Sequence, residues 1–189
     1  MKKVSSVLIA VGVIVALIVI SAGAYISTYN TLVSKSENVE SKFKQVDNQL
    51  LRRNDLIPNL VSTVKGYAAH EEKIFTALAD ARSKIAGATT VAEKAQGDAQ
   101  LTSALKSLNV IVENYPLLKA NENFLSLQDE LAGTENRIAI ARMDYNNAVQ
   151  DFNSYKKRFF VNIFFGSKYA DKEYFKIPEG STEVPKVTF

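Results

Sequence analysis

The residues able to do chemistry are few. His70 is the single imidazole among 189 residues and cysteine is absent, which excludes disulfides, thiolate zinc sites, iron–sulfur clusters and a cysteine nucleophile. Glu71 and Glu72 follow His70, as at the start of a helical metalloprotease pattern. That chemistry needs a second imidazole four residues on, and position 74 is Ile. A di-iron bundle needs Glu-x-x-His on two helices, and Tyr67 stands three residues before the one His. His70 therefore reads as capping a kink near Gly66 or as facing solvent. The Gly166–Lys168 run lacks the earlier glycine of a phosphate loop and follows an aromatic run, so it reads as a helix stop. Glu122, Asp129, Glu130, Glu135, Asp144 and Asp151 offer carboxylates for acid–base work. Dispersed along a helix with no pocket to shift their pKa values, they read as a solvated face. No catalytic residue, metal site or cofactor is assigned.

Two stretches suit contact better than catalysis. Arg52, Arg53, Asp55 and Asn59 surround Pro58, where a first helix is expected to hand over to a second. Arg52 and Asp55 are three apart and can pair, and Asp55 can cap the second helix, which makes a stapled hairpin corner. The functional reading is a partner-docking corner held roughly 37 Å from a bilayer by a first helix of about 25 residues. The other stretch is FFVNIFF, residues 159–165. Phe159, Phe160, Phe164 and Phe165, flanked by Lys156, Lys157, Arg158 and Lys168, either contact a membrane interface or close the lower core of a bundle.

The elements that must carry these residues follow from charge and period. Val4–Ser34 has no formal charge, and the run from Val4 to Ile26 is dominated by Val, Ile, Leu and Ala. As a helix it spans roughly 34 Å, enough for a hydrocarbon core of about 30 Å, and it lacks the polar face of a core helix. A cleaved signal is the competing reading, given Ala22–Gly23–Ala24, but the apolar run exceeds the usual signal length. Lys2 and Lys3 precede the span and Lys35 is the first charge after it, so the N-terminus is expected in the cytoplasm and the remainder outside. Gly12 and Ala16 form a small-xxx-small pair, a weak signal for association of spans. With Lys2 and Lys3 set aside, 21 basic residues face 20 acidic ones, a balance that argues against nucleic-acid binding.

Beyond the span, Leu32, Ser36, Val39, Phe43, Val46 and Leu50 repeat at 4,3,4,3,4, a helical seam. This predicts a first helix over about 29–53. A second seam comprises Leu60, Val64, Tyr67, Ile74, Leu78, Ala81 and Ile85, with Pro58 in its first turn. Gly87–Thr90 reads as a turn, and Gly97 obscures the start of a third helix whose clear part is Leu101, Leu105, Leu108, Val112 and Tyr115. The fourth seam is the longest, from Phe124 through Leu131, Ile138, Tyr145 and Phe152 to Phe159. The expected fold is all-α: a transmembrane anchor over 1–27, then an antiparallel up-and-down four-helix bundle over 28–166, then a mostly irregular, loosely packed tail over 167–189. A two-chain coiled coil is disfavoured by Pro58 and Pro116, which stand where hairpin turns are needed.

The run QLLRRNDLIPNLVSTVKGYAAHE (49–71), preceded by YNTLV (29–33), resembles the signature of the LemA family of bacterial membrane proteins. ENRIAIARMDYNNAVQDFN (135–153) resembles that family's second signature, and the terminal PKVTF also fits. Phe43 stands where relatives often carry tryptophan, a similar filler of a seam position. The resemblance implies a membrane-anchored helical bundle outside the cytoplasm, in a family without an established catalytic activity. It ties some relatives to envelope stress and membrane-bound proteases and others to shaping internal membranes. The expected function is that of a non-enzymatic, single-pass protein of the bacterial plasma (inner) membrane whose bundle serves as an interaction or scaffold module. Its expected partners are the lipid bilayer, through the N-terminal helix, and an envelope or membrane protein. The alternatives are membrane remodelling by homo-oligomerisation and, least favoured, a hydrolase or metal-dependent enzyme built on bundle carboxylates.

Overall fold

The first helix runs further than its proline predicts. In the computed structural model, which describes the backbone of residues 2–176 and the side chains of residues 8–176, α1 spans Lys2–Lys65. Pro58 lies inside it, so the turn expected beside that residue is absent. An interior proline removes the amide donor to the carbonyl four residues back and costs about 3 kcal/mol. Burial on both sides outweighs that cost: Leu50, Ile57, Leu60 and Val64 are at most 2% exposed, and each contributes about 1.5–3 kcal/mol when fully buried. The chain turns instead at residues 66–71, beginning at Gly66, a poor helix former. The second seam is therefore divided between two helices.

The other elements are α2 (Glu72–Gly87), α3 (Val91–Val112), a single turn α4 (Pro116–Lys119), α5 (Glu122–Lys156) and α6 (Phe159–Phe165). No strand occurs among the described residues, and the fold class is all-α. The 3/4 seams are buried, as at Val39 and Val46 on α1, Leu78 and Ile85 on α2, Leu101 and Leu108 on α3, and Ile138 and Phe152 on α5.

The turn expected over Gly87–Thr90 lies between α2 and α3, and the start that Gly97 obscured follows it. α3 begins at Val91 because Thr90 and Glu93 form a capping box, the Thr90 hydroxyl accepting from the Glu93 amide and the Glu93 carboxylate from the Thr90 amide. Gly97 is interior to α3, not a break, because α2 passes close: a Cβ there would lie 2.9 Å from Ile85 Cγ1 and 3.2 Å from the Ile85 nitrogen. The fourth seam also stops early. α5 ends at Lys156, Arg158 is extended (φ −61°, ψ 140°), and FFVNIFF forms its own helix. Pro178, Pro185 and PKVTF lie outside the described residues, as do the side chains of Lys2 and Lys3.

The chain divides into two compact units, 1–40 with 150–172 and 41–149 with 173–189. In the first, every residue from Leu8 to Ser27 is exposed. This stretch of α1 is apolar on all sides and stays exposed even where α6 lies against it, long and apolar enough to cross a membrane. Further along this unit, the Asn153 side-chain amide clamps the tail: its Oδ1 accepts from the Lys172 amide (2.8 Å) and its Nδ2 donates to the Lys172 carbonyl (2.9 Å). In the second unit Asn146 does the same to Phe175, at 2.9 and 3.2 Å. The described tail has no regular structure, but it is clamped and not loosely packed.

Candidate functional site

The largest concentration of charge lies inside the second unit. Arg53 of α1 is 1% exposed. Its Nη2 donates to Asp98 Oδ1 at 2.5 Å, to the Asp98 carbonyl at 3.1 Å and to Thr102 Oγ1 at 3.1 Å, while Nη1 pairs with the Glu135 carboxylate on α5. Arg142 of α5 pairs with the other oxygen of Asp98, so one buried carboxylate bridges two guanidinium groups. Burial pushes the Asp98 carboxyl above its ordinary range, against the downward pull of Arg53 and Arg142. One turn before Asp98, Lys94 is also buried, pairing with Asp47 of α1 at 2.6 Å and donating to the Ile85 carbonyl at 3.1 Å.

This arrangement suits register better than reaction. A general base needs a free lone pair within reach of a substrate proton, and both Asp98 oxygens are engaged by guanidinium donors. A cleft of about 640 Å³ opens beside Arg53, Asp98, Glu135 and Arg142, and on its rim Gln128 Nε2 donates to Asn109 Oδ1 at 3.2 Å. Among the described residues no three His, Asp or Glu side chains gather as a metal would need. The network also reaches the tail. The Arg142 guanidinium lies over the buried Phe175 ring at 5.2 Å, and the Tyr145 hydroxyl donates to the Glu173 carbonyl at 2.7 Å. Burial and the Glu173 charge push the Tyr145 phenol up to about 12.

The residues of the expected docking corner are separated by this geometry. Arg53 is buried in the network, while Arg52, Asp55 and Asn59 are exposed on α1. They flank no turn, because α1 continues through Pro58. The actual turn at 66–71 carries Glu71, which accepts from the Tyr115 hydroxyl at 3.1 Å, and Tyr67, whose hydroxyl accepts from Asn121 at 3.1 Å. His70 is exposed there. A signal for the network was present: Val46, Leu50, Arg53, Ile57, Leu60 and Val64 continue one 4,3,4,3,4 seam across the proline. Lys94 and Asp98 likewise occupy seam positions ahead of Leu101. A charge on an apolar seam marks a buried, paired charge.

The aromatic candidates belong to the first unit. Phe159, Phe160 and Phe164 are exposed on α6, whereas Phe165 is buried, its ring centroid 4.9 Å from Tyr25 and 6.0 Å from Tyr29. Lys156 is withdrawn from the flanking cations by its 2.5 Å bond to Asp171. Lys157 stays exposed but lies 3.5 Å from the same carboxylate, and Arg158 and Lys168 are exposed.

Among the described residues, helices without strands, one membrane-length apolar helix and buried charges paired helix to helix define a class of membrane-associated helical protein. The chain belongs to the LemA family, whose profile matches residues 42–189. It is 29% identical to magnetosome protein MamQ 2 of Paramagnetospirillum magneticum, over 71% of this chain and 61% of the relative. It is 27% identical to magnetosome protein MamQ of Magnetospirillum gryphiswaldense, over 76% of this chain and 64% of the relative. The chain thus spans under two thirds of the length of these relatives. Neither the family nor these relatives is named for a catalytic activity.

Proposed function

We propose that this chain is a single-pass protein of the inner membrane, N-terminus in the cytoplasm, whose helices outside form an up-and-down four-helix bundle that binds a membrane or envelope protein without catalysing a reaction. The observation that carries the reading is the helix exposed on every side from Leu8 to Ser27, continuous with the family-matched region. Such a surface is stable in lipid and costly in water. The bundle is supported by the order of the ion pairs. Asp47 and Arg53 meet Lys94 and Asp98 in the same chain direction, while Lys42 and Arg53 meet Asp144 and Glu135 in opposite directions. That is the order in which first, third and last helices of such a bundle run. The interaction role is supported by exposed apolar residues away from the span, Val110 and Leu117 among them.

The absence of cysteine makes the test direct. A single cysteine at Leu117 is expected to react with a membrane-impermeant maleimide in intact cells whose outer barrier has been opened, and protection until lysis would overturn the orientation. A photo-crosslinker at the same position is expected to capture one defined membrane protein. Capture of nothing above background would remove the scaffold reading. Self-association is the second reading, favoured by Gly12 and Ala16, which lie exposed one turn apart on the span. Crosslinks solely between copies of the chain would establish it in place of the first.

A further inference from the structure

We propose that α6 is a second membrane-binding element, lying in the leaflet where the span emerges on the bundle side and inserting Phe159, Phe160, Ile163 and Phe164 among the lipids. The helix is short and two-faced. Val161 and Phe165, one turn apart, are 5% and 1% exposed; Phe159, Phe160, Ile163 and Phe164 are 73%, 72%, 60% and 60% exposed. Positions i, i+1, i+4 and i+5 form one helical face, and Asn162 is the only polar residue in the element.

What that face meets is fixed by its neighbour within the same unit. Phe165 seats α6 against Tyr25 and Tyr29, and Phe164 stands edge-on to Tyr25 at 6.0 Å. Between α6 and the apolar stretch of α1 runs a groove of about 850 Å³, lined by Ile14, Leu17, Ile18, Tyr25, Phe160 and Phe164. Ile14 lies eleven residues before Tyr25, about 16 Å deeper along the helix, near the middle of the exposed apolar run. Aromatics that share a groove with mid-span residues share their surroundings, and for a membrane span those are acyl chains.

The charges around the face agree with that depth. Arg158 precedes α6 and Lys168 follows it, the Arg158 guanidinium 5.0 Å from the Tyr155 ring and the Lys168 ammonium 5.3 Å from the Tyr29 ring, while Lys157 is paired with Asp171 at 3.5 Å. Cations and tyrosines bordering an apolar face match the headgroup layer of a bilayer. A second copy of the chain is the rival occupant. Its apolar face would leave those cations without phosphates.

The proposal rests on reading residues 8–26 as a membrane span, and the experiment separates the two ideas. The chain has no tryptophan, so full-length variants Ile14→Trp, Phe160→Trp, Phe164→Trp and Val110→Trp each report from one site. They are reconstituted in phosphatidylcholine–phosphatidylglycerol vesicles whose acyl chains carry bromine. The tryptophans at 14, 160 and 164 are expected to lose most of their fluorescence to the lipid bromines, with blue-shifted emission. The tryptophan at 110 is expected to be quenched by aqueous iodide instead. Quenching by lipid at 14, with 160 and 164 behaving like 110, would overturn the inference and leave the anchor intact. No lipid quenching at 14 would overturn both. Blue-shifted emission at 160 and 164 that neither quencher reaches would assign the face to a second copy and overturn it as well.

Discussion

The two units solve burial in opposite ways. In residues 41–149 and 173–176, charge is inside: Arg53, Lys94 and Asp98 are buried and each pairs with a residue of another helix. In residues 8–40 and 150–172 Lys156 is the buried, paired charge, and most of the exposed large apolar side chains lie here, along α1 and on the outer face of α6. The contrast separates assembly from contact. A buried ion pair roughly balances its desolvation cost against its Coulomb gain, so its value lies in which partner it demands. Lys94 and Asp98 demand Asp47 and Arg53, and that fixes the register of α3 on α1. Exposed Phe and Ile demand no particular residue, only an apolar medium. The first unit therefore carries the surface that suits lipid, and the exposed Val110 and Leu117 of the second are left for a protein partner.

Breaking the internal charges should have the largest effect. Asp98→Ala leaves Arg53 and Arg142 buried without their shared carboxylate and should lower unfolding stability by about 3–5 kcal/mol. The measurement is urea unfolding of the full chain in detergent, followed by circular dichroism. Replacing Arg53, Asp98 and Arg142 together by apolar residues should recover most of the loss. A loss for Asp98→Ala below about 1 kcal/mol, the range of solvated surface pairs, would mean that water reaches the network.

Overpacking where α2 and α3 approach should come next. Gly97→Val must displace Ile85, whose Cγ1 and backbone nitrogen stand 2.9 and 3.2 Å from the added Cβ, and should cost about 1–3 kcal/mol. A smaller effect is expected at the α3 cap. Thr90→Ala removes the hydroxyl that accepts from the Glu93 amide and should cost about 1 kcal/mol. Both sit in the second unit, so lipid binding should not change. Weakened vesicle association by either variant would blur the division of labour.

Much of this was legible in the sequence, and what was not has identifiable causes. The seams were readable because burial repeats every three or four residues whatever lies between. The break between the first two helices was misplaced because Pro58 is a strong local signal, and its cost is met by contacts of Leu50, Ile57 and Leu60 that a local rule does not count. The seam itself runs in phase from Val46 to Val64 and overrides the proline. Arg52 and Arg53 look alike in a string of letters, but only the second falls on that seam. The role of Gly97 depends on its distance from Ile85, which no spacing encodes. The tail clamps were hidden because an asparagine gives no hint of the backbone it holds. The FFVNIFF stretch was conspicuous, but its division into an inward Phe165 and an outward Phe159, Phe160 and Phe164 needed the helix restart after Arg158.

Acid should divide the two units by sign. In the first, the Asp171 carboxyl is held below the usual range, chiefly by the hydrogen bond from the Lys156 ammonium. A depressed folded value means that the stabilisation is present above the ordinary aspartate value, about 3.9, and is lost as pH falls through the lower folded value. Burial raises Asp98 in the second unit, so the folded state there holds its proton more tightly than the unfolded chain. Its relative contribution is greatest below the ordinary value and declines as pH climbs towards the raised one. Carbon-13 titration of the aspartate carboxyl groups should find Asp171 titrating below, and Asp98 above, an unperturbed aspartate. The protection of the Lys172 amide, which donates to Asn153, should fall towards its unprotected exchange rate as Asp171 protonates, since Lys156 then loses the charge that holds the tail beside it. If both carboxyls titrate together at the ordinary value, the electrostatic part of the contrast fails, and the units differ only in where their apolar surface lies.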